Sequence, residues 1–276
     1  MTPTRRELLR WFGYGAATAV APVSYGEFSS GWLEVERHTL RLPRWDAGGF
    51  KVALLSDFHT MDDHRLEIGE RAIDLALLEK PDAILLGGDY VNLGDRRRLK
   101  LLARLLSGFE RARCPVLAVL GNHDYWSEQA PKIMEVFRSS PVRLLRNEAV
   151  PMGGLVVCGI DDGINHKQDP AFVARYESRD SVVAIYHEPD FVGEVPANAS
   201  LMLAGHTHGG QVCLPGGVPF HLPYGGRKYV AGFYPAATVP VYVTRGVGTV
   251  GPDWRLFCRP EVSVLTLEKA SPSDVP

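Results

Sequence analysis

Residues 201–211 read LMLAGHTHGGQ, a stretch whose strand pattern and polar pattern both recur along the chain. The apolar run LMLA has the length of a buried β-strand. It ends at Gly205, and His206 and His208 follow with only Thr207 between them. Two imidazoles at the end of a buried strand are either ordinary polar residues of a turn or ligands of a metal ion. Their spacing alone leaves both alternatives open.

Four other apolar runs end in the same way, in polar residues that carry ligand atoms. They are FKVALLSDFH (50–59), AILLGGD (83–89), PVLAVLGNHD (115–124) and VVAIYHEPD (182–190). Each motif is weak by itself, because an aspartate at a strand end is often a turn former. In a sheet, however, functional side chains collect at the carboxyl ends of the strands, where loops face a common crevice. We therefore expect these strand ends to converge on one site.

The side chains at the strand ends form a donor set of two carboxylates, one carboxamide and four imidazoles. They are Asp57, His59, Asp89, Asn122, His187, His206 and His208. Oxygen and imidazole donors without thiolates suit Mn²⁺, Zn²⁺ or Fe²⁺. Seven ligands are too many for one tetrahedral zinc ion but fit two ions that share a carboxylate. The sequence therefore predicts a site for two divalent metal ions.

The order of the expected elements indicates the fold class. The first half of the chain alternates strands and helices, whereas the second half consists mostly of strands. Helices are expected at 65–80, 95–112, 127–138 and 170–177. This order predicts an α/β fold, a four-layer αββα sandwich of two mixed sheets flanked by helices in a single domain. The expected boundaries are 1–30 for a leader, 31–270 for the domain and 271–276 for a tail.

The composition is that of a globular protein, with 276 residues of which 45% are hydrophobic and 22% charged. A formal net charge of −2 gives no field that favours nucleic acid as a partner. The four cysteines (114, 158, 213 and 258) show no zinc-binding spacing and are expected to be buried free thiols. A disulfide stays open at this point, because pairing depends on geometry.

Taken in order, the motifs resemble the calcineurin-like metallophosphoesterase superfamily. The resemblance rests on Asp57-x-His59, Gly88-Asp89, Gly121-Asn122-His123-Asp124, His187 and Gly205-His206-x-His208, and it covers residues 50–267. In the C-terminal half, GHTHGGQVCLP, RKYVAGFY and VTRGVGT are similar to a branch of bacterial phosphodiesterases with twin-arginine leaders. The resemblance implies a metal-dependent phosphodiesterase or pyrophosphatase with a dinuclear centre.

The resemblance also implies a role for each residue of the donor set. Asp57, His59, Asp89 and His208 would hold one ion, and Asp89, Asn122, His187 and His206 would hold the other, with Asp89 bridging. A hydroxide between the ions would attack phosphorus in line. His123 and Asp124 are the expected catalytic residues. His123 would protonate the leaving oxygen or steady its charge, and Asp124 would help to place the loop of His123.

One position departs from better-known members of the superfamily. Three residues after the bridging aspartate, protein serine/threonine phosphatases have an aspartate that orients the catalytic histidine, and purple acid phosphatases have a metal-binding tyrosine. The corresponding residue here is Asn92, in GDYVN. An asparagine does not offset the charge of an imidazolium as a carboxylate does. Asn92 therefore disfavours a phosphoprotein phosphatase and a purple iron site.

The N-terminal 30 residues resemble a twin-arginine export signal, which the export machinery recognises. Arg5 and Arg6 precede an apolar run at 11–23 that is shorter than the ~20 residues of a transmembrane helix. We therefore expect an exported protein, periplasmic or associated with the cell envelope. The alternative is a basic helix that anchors the protein by peripheral contact with the cytoplasmic face of the inner membrane.

The expected substrate is a phosphodiester of the cell envelope, linked to a lipid or a sugar. One alternative is a UDP-2,3-diacylglucosamine pyrophosphatase of lipid A synthesis, although export would separate that enzyme from its substrate. Others are a phosphoprotein phosphatase and a metal-bearing scaffold without activity.

Two arginines are candidate substrate ligands. Arg227 lies in a segment rich in glycine and aromatic residues, 215–233, that is either a flap over the site or a structural excursion of the sheet. Arg245 follows an expected strand, and it either grips a phosphate or pairs with a surface acid.

Overall fold

The computed structural model describes residues 29–92, 96–126, 129–176 and 181–271. Nearly all of the expected leader (1–30) and of the expected tail (271–276) lies outside these residues. Within the described part of the chain, no helix combines the length and apolar character needed to cross a membrane.

The first sheet has six strands. They are β1 (Glu34–Leu42), β2 (Phe50–Leu55), β3 (Ala83–Leu86), β4 (Val116–Ala118), β5 (Arg143–Leu144) and β14 (Glu261–Lys269). Their order across the sheet is β1-β14-β2-β3-β4-β5. Because β2, β3 and β4 are parallel, their carboxyl ends lie at the same edge. Three of the expected ligand-bearing loops therefore start side by side.

Helices cover the outer face of this sheet. The described residues contain α1 (Asp63–Leu78), α2 (Arg96–Ser107), α3 (Asn122–Trp126) and α4 (Ala130–Arg138). The first begins where the Asp62 carboxylate accepts a hydrogen bond from the Arg65 backbone N–H at 2.9 Å, a helix N-cap. Ile73 of α1, Leu102 of α2 and Ile133 of α4 lie in one buried cluster with sheet residues. The helices expected around 65–80, 95–112 and 127–138 are thus confirmed in position.

The second sheet also has six strands. They are β6 (Glu148–Met152), β7 (Leu155–Gly159), β8 (Ser181–Ile185), β9 (Leu201–Ala204), β12 (Gly232–Tyr234) and β13 (Val241–Val243). Their order is β12-β13-β9-β8-β7-β6. Short 3₁₀ turns, Pro170–Arg175 and Pro189–Glu194, cover its outer face. The α-helix expected at 170–177 is therefore wrong: the segment closes instead with a bond from Tyr176 N–H to the Val173 carbonyl at 3.2 Å, a 3₁₀ spacing.

Alternating side chains of the strands build two separate cores on opposite faces of the first sheet. Leu54 and Leu85 pack against Val183 and Leu203 between the two sheets, whereas Ala53 and other neighbours in sequence face the helices. Successive strand residues point to opposite faces, so both faces of a buried strand must be apolar. The expected αββα sandwich in one domain is confirmed, with 3₁₀ turns forming much of its fourth layer.

The segment 215–233 leaves the second sheet and returns to it. The strands β10 (Cys213–Leu214) and β11 (Val218–Pro219) pair as a small antiparallel hairpin. Leu214, Val218 and Phe220 of this hairpin region are exposed apolar side chains. The chain therefore presents an unusually apolar surface where the sequence suggested a flap.

All four cysteines are free thiols, as expected. Cys158, Cys213 and Cys258 are buried, and Cys114 is partly buried. Burial raises the pKa of the Cys158 thiol to about 12, so that it is an uncharged apolar side chain at neutral pH.

Candidate metal centre

The seven side chains of the predicted donor set lie at one edge of the sandwich. Each follows the carboxyl end of a parallel strand: β2, β3 and β4 in the first sheet, and β8 and β9 in the second. All seven are at least 95% buried. Side chains that are separated by some 150 positions in sequence, such as those of His59 and His208, are in direct contact. The convergence predicted from the strand ends is therefore present in the fold.

The backbone at this edge adopts a conformation that is uncommon for residues other than glycine. Asp57, His59, Asp89, His206 and His208 all have positive φ, between 45° and 70°. They make up five of the ten such non-glycine residues in the described part of the chain. The left-handed region costs free energy for L-residues, and such outliers cluster at functional sites where the surrounding structure holds them. The loops are thus shaped to aim these side chains inward.

The first cluster consists of Asp57, His59 and His208, whose ligand atoms lie within 4.8 Å of one another. The Nε2 atoms of His59 and His208 are 3.0 Å apart, and His208 Nε2 is 3.5 Å from Asp57 Oδ1. Asp57 also accepts hydrogen bonds from the His206 backbone N–H at 3.0 and 3.1 Å, which fixes its carboxylate. Two nitrogens and a carboxylate oxygen around one point form a ligand set for a divalent cation.

The second cluster consists of Asp89, His187 and His206. The Nδ1 atom of His187 lies 2.6 Å from the Gly87 carbonyl oxygen, and Nε2 of His206 lies 2.8 Å from the Tyr224 carbonyl oxygen. Because a carbonyl only accepts hydrogen bonds, those nitrogens carry the protons. In the neutral imidazoles that ligate a metal, the opposite nitrogens, Nε2 of His187 and Nδ1 of His206, are then the ones with lone pairs. This is how backbone carbonyls orient histidines that ligate metals.

Asp89 lies between the two clusters. Its Oδ2 atom is 3.1 Å from His187 Nε2 in the second cluster and 3.6 Å from His59 Nε2 in the first. Its Oδ1 atom accepts a hydrogen bond from the His123 backbone N–H at 2.9 Å. A single carboxylate is therefore in reach of both clusters, as a bridging ligand requires.

The side-chain amide of Asn122 tests whether the residues fit a metal ion. Both its oxygen and its nitrogen are buried without a hydrogen-bond partner among the described residues. The same is true of Nδ1 of His59 and Nε2 of His187. Buried polar atoms without partners cost about 1–3 kcal/mol each, and proteins keep them mostly for a function or a bound ion. The polar atoms at this edge thus fit a cation.

Burial keeps three of the four histidines, His59, His206 and His208, in the neutral form that binds metals. It lowers the pKa of His59 to about 3, that of His206 to about 4, and that of His208 well below the ordinary range. These three imidazoles are therefore neutral at physiological pH. Burial has the opposite effect on a carboxyl group, and it raises the pKa of Asp57 to about 6.

Asp89 and His187 form a charged pair in the protein without metal. Burial opposes the ionisation of Asp89, but the positive charge of His187 outweighs it and holds the pKa of Asp89 well below its ordinary range. Burial likewise opposes the protonation of His187, but the charge of Asp89 outweighs it and raises the pKa of His187 well above its ordinary range. In the metal-free protein, the proton on His187 thus offsets the negative charge of Asp89, as a bound metal ion would.

The contacts of Asp124 match the expectation that it helps to place the loop of His123. Its carboxylate is fully buried and does not line the cavity at the site. One oxygen accepts hydrogen bonds from the backbone N–H groups of Asp89 and Gly121, and the other from those of Tyr90 and Val91, at 2.9–3.2 Å. Asp124 is therefore a positioning residue that ties the loop after β3 to the loop after β4.

His123 differs from its neighbours because it is only partly buried and its ring lines the cavity. The ring centroid is 4.9 Å from that of His59 and 4.8 Å from that of Trp126. It borders both clusters without belonging to either. The structure thus leaves this imidazole available to a bound substrate.

The two arginines suggested as substrate ligands do not reach the site. Arg245 bonds to Glu34 and Glu36 at 3.1 and 2.9 Å and to Glu261 at 3.2 Å, so its guanidinium is neutralised by acids on the strands β1 and β14. The pairing alternative is correct for Arg245. The side chain of Arg227 is exposed and does not line the cavity, although its backbone N–H is held by Asp190 at 2.7 Å.

Arg255 was missed by the sequence analysis. Its side chain is fully buried and donates hydrogen bonds to the backbone carbonyls of His208, Arg245, Gly246 and Gly248. These bonds join the loop of the first cluster to the loop after β13, which in turn donates from Gly248 N–H to the Asp57 carbonyl at 2.7 Å. A lone arginine in PDWRLFC carries no periodic or motif signal, and only its tertiary contacts reveal this function.

A cavity of about 540 Å³ opens from the metal centre. Four of the predicted ligands, Asp89, Asn122, His206 and His208, line one wall. The large apolar side chains of the other wall and the rim are those of Trp126, Ile164, Val212, Phe220, Tyr224 and Val250. We call this cavity the apolar chamber. Its wall residues come from four separate segments, so no single stretch of sequence indicated it.

Comparison with known proteins identifies the class of protein that this fold and site define. The family described as calcineurin-like phosphoesterase matches residues 50–210. The chain belongs to this family, as its motifs indicated, and it is a metal-dependent phosphoester hydrolase. The family is dimetal-dependent, in agreement with the two ligand clusters.

Particular relatives match over nearly the whole chain. Phosphodiesterase YaeI of Escherichia coli is 35% identical, with 91% of this chain and 96% of the relative covered. An uncharacterised metallophosphoesterase of Aquifex aeolicus is 29% identical over 91% and 97% of the two chains, and YkuE of Bacillus subtilis is 28% identical over 97% and 99%. Among solved structures, a dimetal phosphatase from Danio rerio aligns at 12% identity with a TM-score of 0.49, over 72% of this chain and 88% of its own.

Proposed function

We propose that the protein hydrolyses a phosphodiester in the cell envelope, using two divalent ions that share Asp89. One ion would be held by Asp57, His59, Asp89 and His208, and the other by Asp89, Asn122, His187 and His206. The observation that carries this proposal is the position of Asp89 Oδ2, within 3.6 Å of a histidine nitrogen from each cluster. Mn²⁺, Zn²⁺ and Fe²⁺ all suit these donors.

The ions supply Lewis-acid chemistry when bound: they neutralise phosphate oxygens and lower the pKa of water toward neutrality. The chain supplies orientation and proton transfer. The carbonyl groups of Gly87 and Tyr224 hold His187 and His206 in their ligand orientation. His123, next to the chamber, donates a proton to the leaving oxygen. Asp124 holds the two loops that carry Asp89 and His123.

A diester fits this site better than a monoester. Among the described residues, no lysine or arginine side chain lines the apolar chamber. A monoester carries up to two negative charges, whereas a diester carries one that two ions offset easily. The name of the Escherichia coli relative, a phosphodiesterase, agrees with this choice.

Two chromogenic esters test the reaction. We expect kcat/KM for bis(p-nitrophenyl) phosphate to exceed that for p-nitrophenyl phosphate by about tenfold or more. Treatment with EDTA should abolish turnover, and Mn²⁺ or Zn²⁺ should restore it with about two ions bound per chain. A preference for the monoester would instead indicate a phosphomonoesterase, and full activity without metal would contradict the proposal altogether.

The cellular location is proposed from Arg5 and Arg6 and the apolar run that follows them. Fractionation of native cells, with detection of the full chain, tests the location. Recovery from the periplasm or the outer surface of the membrane is the expected result. Recovery at the cytoplasmic face would contradict export and favour a UDP-2,3-diacylglucosamine pyrophosphatase.

A further inference from the structure

Two polar side chains in the wall of the apolar chamber opposite the ligands, Gln211 and Thr207, are satisfied within the protein. Gln211 donates from Nε2 to the Val250 carbonyl and accepts from the Val250 N–H, both at 2.9 Å. Thr207 donates its hydroxyl to the Val230 carbonyl at 2.6 Å and accepts from the Gly209 N–H at 3.1 Å. Although both residues line the chamber, neither has a polar group turned toward a ligand.

The rim of the chamber is exposed and mostly apolar, and His221 is its polar member. Phe220 and Tyr224 are each 66% exposed, and Trp126 is 49% exposed. Large apolar side chains are normally buried, and several of them around one opening mark a binding surface. The chamber volume of about 540 Å³ lies within the ~300–1,000 Å³ typical of small-molecule sites.

We propose that the substrate is a phosphodiester with a hydrophobic substituent, an alkyl or acyl chain, that occupies the apolar chamber while its phosphate lies at the metal centre. This inference rests on the proposed function and adds the chemical class of the substituent. A nucleobase or a sugar would lose hydrogen bonds to water in the chamber without regaining them from Gln211 or Thr207, which disfavours such groups. A methylene chain has no hydrogen bonds to lose on entering the chamber, and its transfer out of water is favourable.

A series of p-nitrophenyl alkyl phosphates isolates this effect, because only the alkyl group changes from the methyl to the butyl and octyl ester. Hydrolysis adds water, breaks the bond between phosphorus and the aryl oxygen, and releases p-nitrophenol and an alkyl phosphate. We expect kcat/KM to rise with each methylene that enters the chamber, by roughly fourfold at most, since burial of one methylene contributes ~0.8 kcal/mol. The butyl and octyl esters should both exceed the methyl ester.

Two matched variants place the effect in the chamber. Phe220→Ser, at the exposed rim, should lower kcat/KM for the octyl ester by more than it lowers kcat/KM for the methyl ester. Phe257→Ser is the control, because Phe257 is also exposed but lies outside the chamber. It should leave the ratio of octyl to methyl kcat/KM as in the wild type. If both variants lowered the ratio of octyl to methyl kcat/KM equally, the assignment of the substrate's alkyl chain to the chamber would be overturned.

A second experiment distinguishes two sources of a substrate with an alkyl or acyl chain, a membrane lipid and a dispersed amphiphile. Vesicles of phosphatidylglycerol present the chain in a membrane, and the soluble octyl ester presents it in water. Turnover of both supports a membrane lipid, and turnover of the soluble ester alone supports a dispersed amphiphile; both outcomes support the hydrophobic class. Equal kcat/KM for the methyl and octyl esters would overturn this inference and leave the phosphodiesterase intact. No hydrolysis of any diester by the metal-loaded enzyme would overturn both.

Discussion

The Nε2 atom of His187 lies 3.1 Å from Oδ2 of Asp89, and both groups are buried. The other ring nitrogen of His187 is held by the Gly87 carbonyl. A lone pair on Nε2 and a carboxylate at this distance repel each other unless a proton or a metal ion lies between them. A cation between these two atoms would therefore stabilise the pair.

Replacement of His187 by alanine removes a ligand of the second cluster alone. We expect bound metal, measured by elemental analysis, to fall from about two ions to about one per chain. Activity should fall more than about a hundredfold, since even the outer partners of metal ligands contribute ~10–100-fold. His166→Ala, at an exposed position, is the matched control and should retain both ions. If the His187 variant still bound two ions per chain, the proposed ligand set would be wrong.

Metal affinity should fall as the pH falls, in two stages. The raised pKa of His187 means that metal binding displaces roughly one proton at neutral pH. Below about pH 6 Asp57 is also protonated without metal, so that a second proton competes. His59 adds no competition until about pH 3, because burial keeps it neutral.

The measurement for this pH dependence is competition with a chelating dye. The affinity should fall about tenfold per pH unit near neutrality and more steeply between about pH 6 and pH 4. An affinity that does not change between about pH 8 and pH 6 would show that His187 carries no proton to be displaced.

Asp124→Asn tests the positioning role of this carboxylate. Burial and the charge of Asp89 raise the pKa of Asp124 to about 8, whereas its four backbone N–H partners favour the ionised form. Asparagine offers one acceptor atom in place of two, so two of these N–H groups lose their partner. We expect the free energy of unfolding to fall by about 2–4 kcal/mol, measured with urea. Asp74→Asn, at an exposed ion pair, should cost less than about 1 kcal/mol. Equal costs would show that the four bonds contribute little.

Arg245→Ala should leave catalysis nearly unchanged. Since its guanidinium is bound to acids of β1 and β14, we expect kcat/KM for a diester to stay within about twofold of the wild type. The free energy of unfolding should fall by about 1–3 kcal/mol, because Glu261 loses a buried partner. A loss of kcat/KM in a folded, metal-loaded variant would restore Arg245 as a substrate ligand.

The fold class and the residues that converge could be predicted from the sequence. Apolar runs such as LMLA are local features, and a strand that ends in a ligand-bearing loop places that ligand at the carboxyl edge of its sheet wherever the strand lies. For this reason Asp57, Asp89, His187 and His206 could be chosen before their contacts were known. The donor types also indicated a pair of divalent ions, because ligand preference is a property of the side chains themselves.

The partners of each side chain became known only from the folded structure. Asp124 faces four backbone N–H groups, Arg245 faces acids, and Arg255 bonds to the loop of His208, and each contact joins segments distant in sequence. Local pattern carries no information on such pairs, because they depend on the packing of loops against one another. The apolar chamber likewise exists only where separate segments meet. The sequence left open whether the segment 215–233 covers the site, and the packing of loops places Phe220 and Tyr224 of this segment at the chamber.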